Sequence, residues 1–276
     1  MQTVQLVLGL TMMLSLARAQ APIVNAGGVV NDGNYSSQGV APGSIVAIFG
    51  TNLASKVAIT DTIPISTALD TVTSVTFNGT PAGLYFVGPL HINAQLPYES
   101  LPSGSSSATV NVIVTTNTGS STAQTVNVLP AVPGIFTANA SGLGQAIATD
   151  NNTNLIAADA GSIAGLTTAP ISIGSGHALI IWCTGLGDVT PSIADGANSI
   201  NPDGTTTLRN TVLTPTVTVG GVAAKFVYSI LAPQYVSEYQ VAVVLDPSTP
   251  TGNAEPVQIA INGITTSNQV TIAVAP

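Results

Sequence analysis

Short apolar runs separated by turn-forming residues recur along the whole chain, and they constrain its fold more than any other feature. Thr109–Thr115 and Ala123–Leu129 alternate apolar and polar residues, which is the period of a half-buried β-strand. No stretch after residue 20 sustains a helical period. Further candidate strands are Ser44–Phe49, Ser74–Phe77, Leu84–Val87, Ile92–Leu96, Ala178–Cys183, Thr214–Val219, Lys225–Ser229, Tyr239–Leu245, Val257–Ile261 and Gln269–Val274. Many short strands at this spacing predict β-sandwiches.

An internal repeat indicates that one strand order occurs twice. Gly43–Leu53 aligns with Gly176–Leu186 without a gap. Three shorter matches follow in the same order: Val75–Gly79 with Val217–Gly221, Tyr85-Phe86 with Val227-Tyr228, and Gln95-Leu96 with Gln240-Val241. Two copies of one domain explain this order better than a single long barrel does.

The repeat predicts an all-β fold of two tandem immunoglobulin-like β-sandwiches, at residues 22–130 and 131–276. The Pro-marked segment Pro130–Gly134 forms the junction. The second copy carries an N-terminal addition, residues 131–173. Within it Gln145–Thr149 and Asn154–Ala158 flank a turn-like Asp-Asn-Asn-Thr, which predicts an added hairpin.

The charge balance excludes some classes of partner. Only 6% of the 276 residues are charged, with 4 basic and 12 acidic side chains and a net charge of −8. A phosphate-binding surface needs clustered Lys and Arg, so nucleic acid is not an expected partner. The low charge leaves Thr, Ser, Asn and Gly to cover the surface, which is typical of an extracellular β-protein.

The N-terminus resembles a secretory signal peptide, residues 1–19. Val4–Leu16 is a short apolar run, and Ala17-Arg18-Ala19 supplies the small residues that flank a cleavage site after Ala19. The run is too short for a typical transmembrane helix. An uncleaved anchor remains the alternative, but cleavage predicts a secreted or cell-surface protein without integral membrane association.

Several of these motifs also resemble a known family. Val40–Leu53, His91–Tyr98, Pro133–Phe136, Thr184–Gly187 and Tyr239–Val241 are similar to a family of acidobacterial (Solibacter-type) secreted proteins. In that family the region forms an uncharacterised C-terminal module of larger extracellular proteins. The strand that ends in Gly-Thr-Asn-Leu is also similar to the start of IPT/TIG domains. The resemblance covers roughly residues 23–276 and implies immunoglobulin-like domains, but no catalytic residue.

The residues of hydrolase chemistry are scarce. His91 and His177 are the only histidines, and no Gly-x-Ser-x-Gly motif occurs. Both histidines are interpreted as structural. Cys183, the only cysteine, is interpreted as a small buried thiol, with a free thiol for dimerisation as the alternative. Three glutamates exist, so a glycosidase would depend on few carboxylates.

Metal and cofactor motifs are equally weak. No pair of His or Cys has zinc spacing, and no glycine-rich phosphate loop is present. Asp150–Asn154 and the loop from Asp188 to Asp203 offer oxygen ligands for calcium, but Asp and Asn are also the usual turn residues. The prediction is therefore no metal, no cofactor and no catalytic residue.

The predicted function is a secreted, non-catalytic binding or adhesion module for an extracellular polysaccharide or a cell-surface protein. The alternatives are a structural spacer or envelope component and, less favoured, a glycoside-active enzyme. Tyr85, Phe86, Tyr235 and Glu238 are the candidate ligand-binding residues, because Tyr combines an apolar ring with a polar end.

Overall fold

The computed structural model describes residues 20–266 and 269–276, and almost all regular structure in it is β. The predicted signal peptide lies outside these residues. No helix in the described part of the chain has both the length and the apolar character needed to cross a membrane.

The first half contains ten strands and one short 3-10 helix. The strands are β1 (Ile23–Asn31), β2 (Ile45–Thr51), β3 (Ala58–Ile59), β4 (Val72–Phe77), β5 (Thr80–Pro81), β6 (Leu84–Val87), β7 (His91–Gln95), β8 (Ala108–Thr116), β9 (Gly119–Ser120) and β10 (Gln124–Val128), and the 3-10 helix is Tyr98–Ser100. One sheet has the order β1-β2-β7-β6-β3, and the other has the order β10-β8-β4-β5 with β9 paired to β8.

The second half repeats this plan with additional short strands. They are β11 (Gly134–Ile135), β12 (Gly144–Gln145), β13 (Ala148–Asp150), β14 (Ile156–Ala157), β15 (Thr168–Ala169), β16 (Ile171–Ser172), β17 (Leu179–Thr184), β18 (Val189–Thr190), β19 (Asn210–Thr211), β20 (Thr216–Val219), β21 (Val222–Ala223), β22 (Lys225–Leu231), β23 (Tyr239–Val244), β24 (Gly252–Ile261), β25 (Ile264–Thr265) and β26 (Val270–Ala275). One sheet has the order β15-β14-β13-β17-β23-β22-β19-β18 with β11 paired to β17. The other has the order β12-β26-β24-β20-β21, with β16 paired to β26 and β25 to β24.

Each half has its own hydrophobic core between its two sheets. The buried apolar residues of the first core lie between Val24 and Val128 in the sequence. Those of the second core lie between Ala131 and Val274. In β17, Leu179, Ile181 and Cys183 point into the core while Trp182 points outward, as the two-residue period of a strand requires. The protein is therefore all-β, with two tandem immunoglobulin-like sandwiches. The added hairpin of the second is β13 paired antiparallel with β14.

The strand registers show how far the two halves correspond. Asn78-Gly79 and Gly220-Gly221 both turn a hairpin, between β4 and β5 and between β20 and β21. Bulges also recur, since the register shifts between Leu84 and Phe86 in β6 and between Phe226 and Tyr228 in β22. These features place β2, β6 and β7 in the positions of β17, β22 and β23.

One alignment from the sequence was wrong by four residues. Phe49 pairs with His91, and Trp182, its equivalent, pairs with Gln240. Gln240 therefore occupies the position of His91, not that of Gln95. A slip of four residues keeps every side chain on its own face, because the strand period is two, and so the apolar pattern did not reveal it.

Candidate functional site

Hydrogen bonds and close backbone contacts hold the two sandwiches together. The Thr184 hydroxyl donates to the Ser237 carbonyl at 3.0 Å and accepts from the Ile45 N–H at 3.0 Å. The Asn31 amide donates to the Val132 carbonyl at 2.7 Å, and all five residues that take part in these bonds are buried. The chain therefore presents the two halves as one packed body rather than as domains on a flexible linker.

Glycines allow the backbones of the two halves to approach closely. Gly185 has a φ of +84°, and a Cβ there would lie 2.8 Å from the Asn31 amide nitrogen of the first half and would collide with the Val132 carbonyl of its own half. A Cβ on Gly33, in the first half, would collide with the backbone of Gly134 in the second. Both contacts require the absence of a side chain, so these two glycines set the distance between the halves.

A cleft of about 290 Å³ lies where the halves meet. The first half contributes Asp32, Tyr35 and Ile45 to its lining, and the second contributes Phe136, Trp182 and Glu238. Two carboxyl groups thus share one concave site with three aromatic rings. Concave sites that combine apolar walls with a few polar groups are the usual form of a small-ligand site.

Local sequence explains how Asp32 and Tyr35 reach the cleft. At the end of β1, the Asn31 side-chain oxygen accepts from the Gly33 N–H at 2.7 Å, and the Tyr35 N–H donates to the Asn31 carbonyl at 2.8 Å. These bonds close a tight turn, in which Tyr35 has a φ of +52°. Asn and Gly favour such turns, so the sequence Asn-Asp-Gly-Asn-Tyr fixes the orientation of both lining residues.

Burial raises the pKa of both carboxyl groups in the cleft. Burial raises the pKa of Asp32 from 3.8 to about 6, although a hydrogen bond with the Asn93 side chain partly offsets this rise. Burial also raises the pKa of Glu238 from 4.5 to about 7. The Asp32 Oδ1 atom is buried and has no hydrogen-bond partner among the described residues. The cleft therefore holds acceptor capacity that the protein itself does not satisfy.

The four residues predicted from the sequence lie at or near this junction, in different environments. Tyr85 is half-buried between the halves, and its hydroxyl donates to the Val236 carbonyl at 2.6 Å. Phe86 lies on the outer face of its sheet, with its ring centroid 5.3 Å from that of His91. Tyr235 is 45% exposed and packs edge-on against Trp182 at 5.7 Å. Glu238 lines the cleft itself.

Sequence reasoning missed the other cleft residues, Asp32, Tyr35, Phe136 and Trp182. The repeat contained a usable signal for Trp182, because it aligns with Phe49 at an outward-facing position. Phe49 stacks on His91 with centroids 5.0 Å apart, so aromatic residues occupy the same outward position in both halves. Asp32 offered no comparable signal, since Asp and Asn are common in turns.

The remaining candidate residues have structural environments. His177 Nδ1 lies 2.9 Å from Asp150 Oδ2, on the surface of the second half. Burial acts to raise the pKa of Asp150, but hydrogen bonds from the Asn152 N–H and from His177 outweigh it and lower that pKa. Cys183 is fully buried, and burial raises the pKa of its thiol. Within residues 20–266 and 269–276, no group of three or more His, Cys, Asp or Glu side chains is arranged to hold a metal ion.

Comparisons with known proteins add only structural likenesses of low similarity. No family model matches the chain, and no curated protein matches it. A titin I9-I11 tandem is 8% identical over 93% of this chain and 67% of its own, with a TM-score of 0.22. The D00-D0 domain of intimin is 11% identical over 92% and 100%, with a TM-score of 0.21. The C-terminal domain of the Streptococcus agalactiae AgI/II polypeptide BspA is 9% identical over 92% and 100%, with a TM-score of 0.19. Values this low transfer no function to the chain.

Proposed function

We propose that this protein is a secreted, non-catalytic binding module and that its ligand site is the cleft between the two sandwiches. The observation that carries the proposal is the convergence of Tyr35, Phe136 and Trp182 with two carboxyls on one concave surface. Aromatic rings with polar neighbours are suited to ligands that have both apolar and polar faces. An extracellular polysaccharide or the side chain of a cell-surface protein is such a ligand.

Fixed geometry supports a binding role over a spacer role. The buried Thr184 bridge and the glycine contacts hold the walls of the cleft in place before any ligand arrives. A preformed site avoids part of the ordering cost of binding. A spacer or envelope component, the alternative, does not need a concave aromatic site with an unsatisfied acceptor, Asp32 Oδ1.

Glycoside hydrolysis is a second candidate, because Asp32 and Glu238 line the same cleft. Glycosidases need one protonated and one ionised carboxyl, and their two environments push the two pKa values apart. Here burial raises both pKa values, to about 6 and about 7, so the two environments shift the pair in the same direction and do not divide it into an acid and a base. We therefore favour binding without turnover.

Co-sedimentation of residues 20–276 with insoluble polysaccharides and with the producer's cell envelope tests the proposal. We expect selective pelleting that Trp182→Ala abolishes. Phe226→Ala is the matched control, because Phe226 is 41% exposed on β22 and does not line the cleft. Equal loss in both variants, or no pelleting of the folded wild type with any material, would contradict a cleft-based binding function. Release of reducing sugar from a pelleted polysaccharide would instead favour the glycosidase.

A further inference from the structure

We propose that the cleft recognises an organic ammonium group, held by the carboxyl groups of Asp32 and Glu238 and by the ring of Trp182. This inference rests on the proposed binding function and names the chemistry of the ligand. Three features of the described residues support it: the charge of the cleft, its aromatic walls and its size.

The cleft has negative charge capacity and no cation of its own. Among the described residues that line it, none is Lys, Arg or His. Lys56 lies 3.6 Å from Asp70, and the Arg209 guanidinium donates to the carbonyls of Ser192 and Thr207, so neither serves the cleft. Two partly desolvated carboxyls without a counter-ion are energetically unfavourable when ionised, and a cationic ligand removes that penalty.

The aromatic walls select an organic cation over a metal ion. A cation over the face of Trp is attracted by the ring quadrupole, by about 0.5–2 kcal/mol depending on desolvation. Hard metal ions such as Ca²⁺ prefer six to eight oxygen ligands. The lining offers Trp182, Tyr35 and Phe136 beside only two carboxyls, which matches a substituted ammonium ion better.

The size of the cleft limits how much of the ligand it encloses. At about 290 Å³ it lies at the lower end of the range of small-molecule pockets, roughly 300–1,000 Å³. This volume suits one ammonium-bearing head group. The group can belong to a free small amine or to the side chain of a larger partner, and these two sources share the same recognition chemistry.

Binding should depend on pH, since only ionised carboxyls attract the cation. The titratable groups around the two carboxyls are Tyr35, which lines the cleft, and Tyr85, which interacts electrostatically with both Asp32 and Glu238. His91 lies on the outer face of the first half, beside Phe86, and stacks on Phe49. Burial raises the pKa of both tyrosines and lowers that of His91, so all three are neutral near pH 8 while both carboxyls are ionised there.

Calorimetry with choline and with its neutral isostere 3,3-dimethylbutan-1-ol tests the inference. We expect choline to bind at pH 8 and to bind at least about tenfold more weakly at pH 5, where both carboxyls are protonated. The neutral isostere should bind at least about tenfold more weakly than choline at pH 8. Asp32→Asn and Glu238→Gln should each weaken choline binding by a similar factor. Asp61→Asn removes the same charge at an exposed position and should have no effect.

A second arm distinguishes the two sources of the ammonium group. An end-blocked Gly-Lys-Gly peptide is compared with the same peptide acetylated on Nζ. Binding of choline alone supports a free amine, and binding of the unmodified peptide supports a partner side chain; both support the ammonium site. Equal binding of choline and its isostere, or loss of binding in Asp61→Asn as much as in Glu238→Gln, would overturn it.

The two proposals can fail separately. If a neutral polysaccharide pellets with the wild type but not with Trp182→Ala, and choline does not bind, the ammonium inference is wrong while the binding function stands. If neither choline, nor the peptide, nor any pelleting material binds the folded protein, both proposals fail.

Discussion

Replacing Glu238 by Gln should stabilise the protein at high pH and leave its stability unchanged at low pH. Burial raises the pKa of Glu238 from 4.5 to about 7. A difference of one pKa unit corresponds to about 1.4 kcal/mol, so the full difference is worth about 3 kcal/mol. Water in the open cleft reduces this penalty, and we expect about 1–3 kcal/mol.

The direction of the pH dependence follows from which state, folded or unfolded, binds the Glu238 proton more tightly. The folded state does so, because its carboxyl has the higher pKa. The stability of the wild type, as far as Glu238 determines it, is therefore full below pH 4.5 and falls as the pH rises through about 7. The Glu238→Gln variant has no charge to bury and escapes that loss. Its advantage should be near zero at pH 4.5 and reach about 1–3 kcal/mol at pH 8.

Urea denaturation at pH 4.5, 6, 7 and 8 measures this difference directly. Trp182 is the only tryptophan and lies in the same cleft, so its fluorescence follows unfolding at the site. Glu255→Gln, on β24, controls for the change in net charge. A constant stability difference between Glu238→Gln and the wild type at every pH would refute the reasoning. So would destabilisation at pH 8, because the ionised carboxyl would then be well solvated or paired.

Two substitutions and one labelling experiment test the junction and the core. Thr184→Val keeps the shape of the side chain but removes its hydroxyl, which should cost about 1–3 kcal/mol in urea denaturation; an unchanged midpoint would contradict the bridge between the halves. Gly185→Ala should lower the free energy of unfolding more than Gly174→Ala does, because both glycines have a positive φ but only Gly185 contacts the other half. Similar losses of about 1–2 kcal/mol in both variants would mean that backbone strain alone matters. Cys183 should not react with Ellman's reagent in the native protein and should react fully in denaturant, because its thiol is buried; rapid native labelling would contradict that burial.

The fold class was predictable from the sequence because strands report their burial locally. Alternation in Thr109–Thr115 and Ala123–Leu129 reflects a face packed on the core and a face in water, and β8 and β10 occupy these segments. The Asn78-Gly79 hairpin was not predicted above, although Asn-Gly is a usual residue pair of a two-residue hairpin turn. The alignment of β7 with β23 was not predictable from the sequence. His91 and Gln95 both point outward from β7, so the apolar pattern allows Gln240 to be aligned with either of them.

The cleft was only partly predictable because it depends on how the two halves pack. Glu238 and Tyr235 are predictable as neighbouring polar and aromatic residues, and they lie in and beside the cleft. Tyr85 is a candidate because its ring carries a polar end, but its hydroxyl donates to the Val236 carbonyl within the junction. Asp32 lies more than two hundred residues from Glu238 in the sequence, and no local pattern connects them.

The proposed site combines an aromatic residue on a strand that both halves share with carboxyl groups from segments that differ between the halves. Trp182 occupies the outward position of Phe49, so the aromatic wall comes from a strand that both copies share. Asp32 follows β1 and Glu238 precedes β23, and both carboxyls therefore come from segments that lie outside the matched strands. Because each half supplies one carboxyl, neither sandwich alone contains the proposed ammonium site. Thr184 and the close-contact glycines that fix the junction thereby also fix the site, which links the stability of the interface to binding.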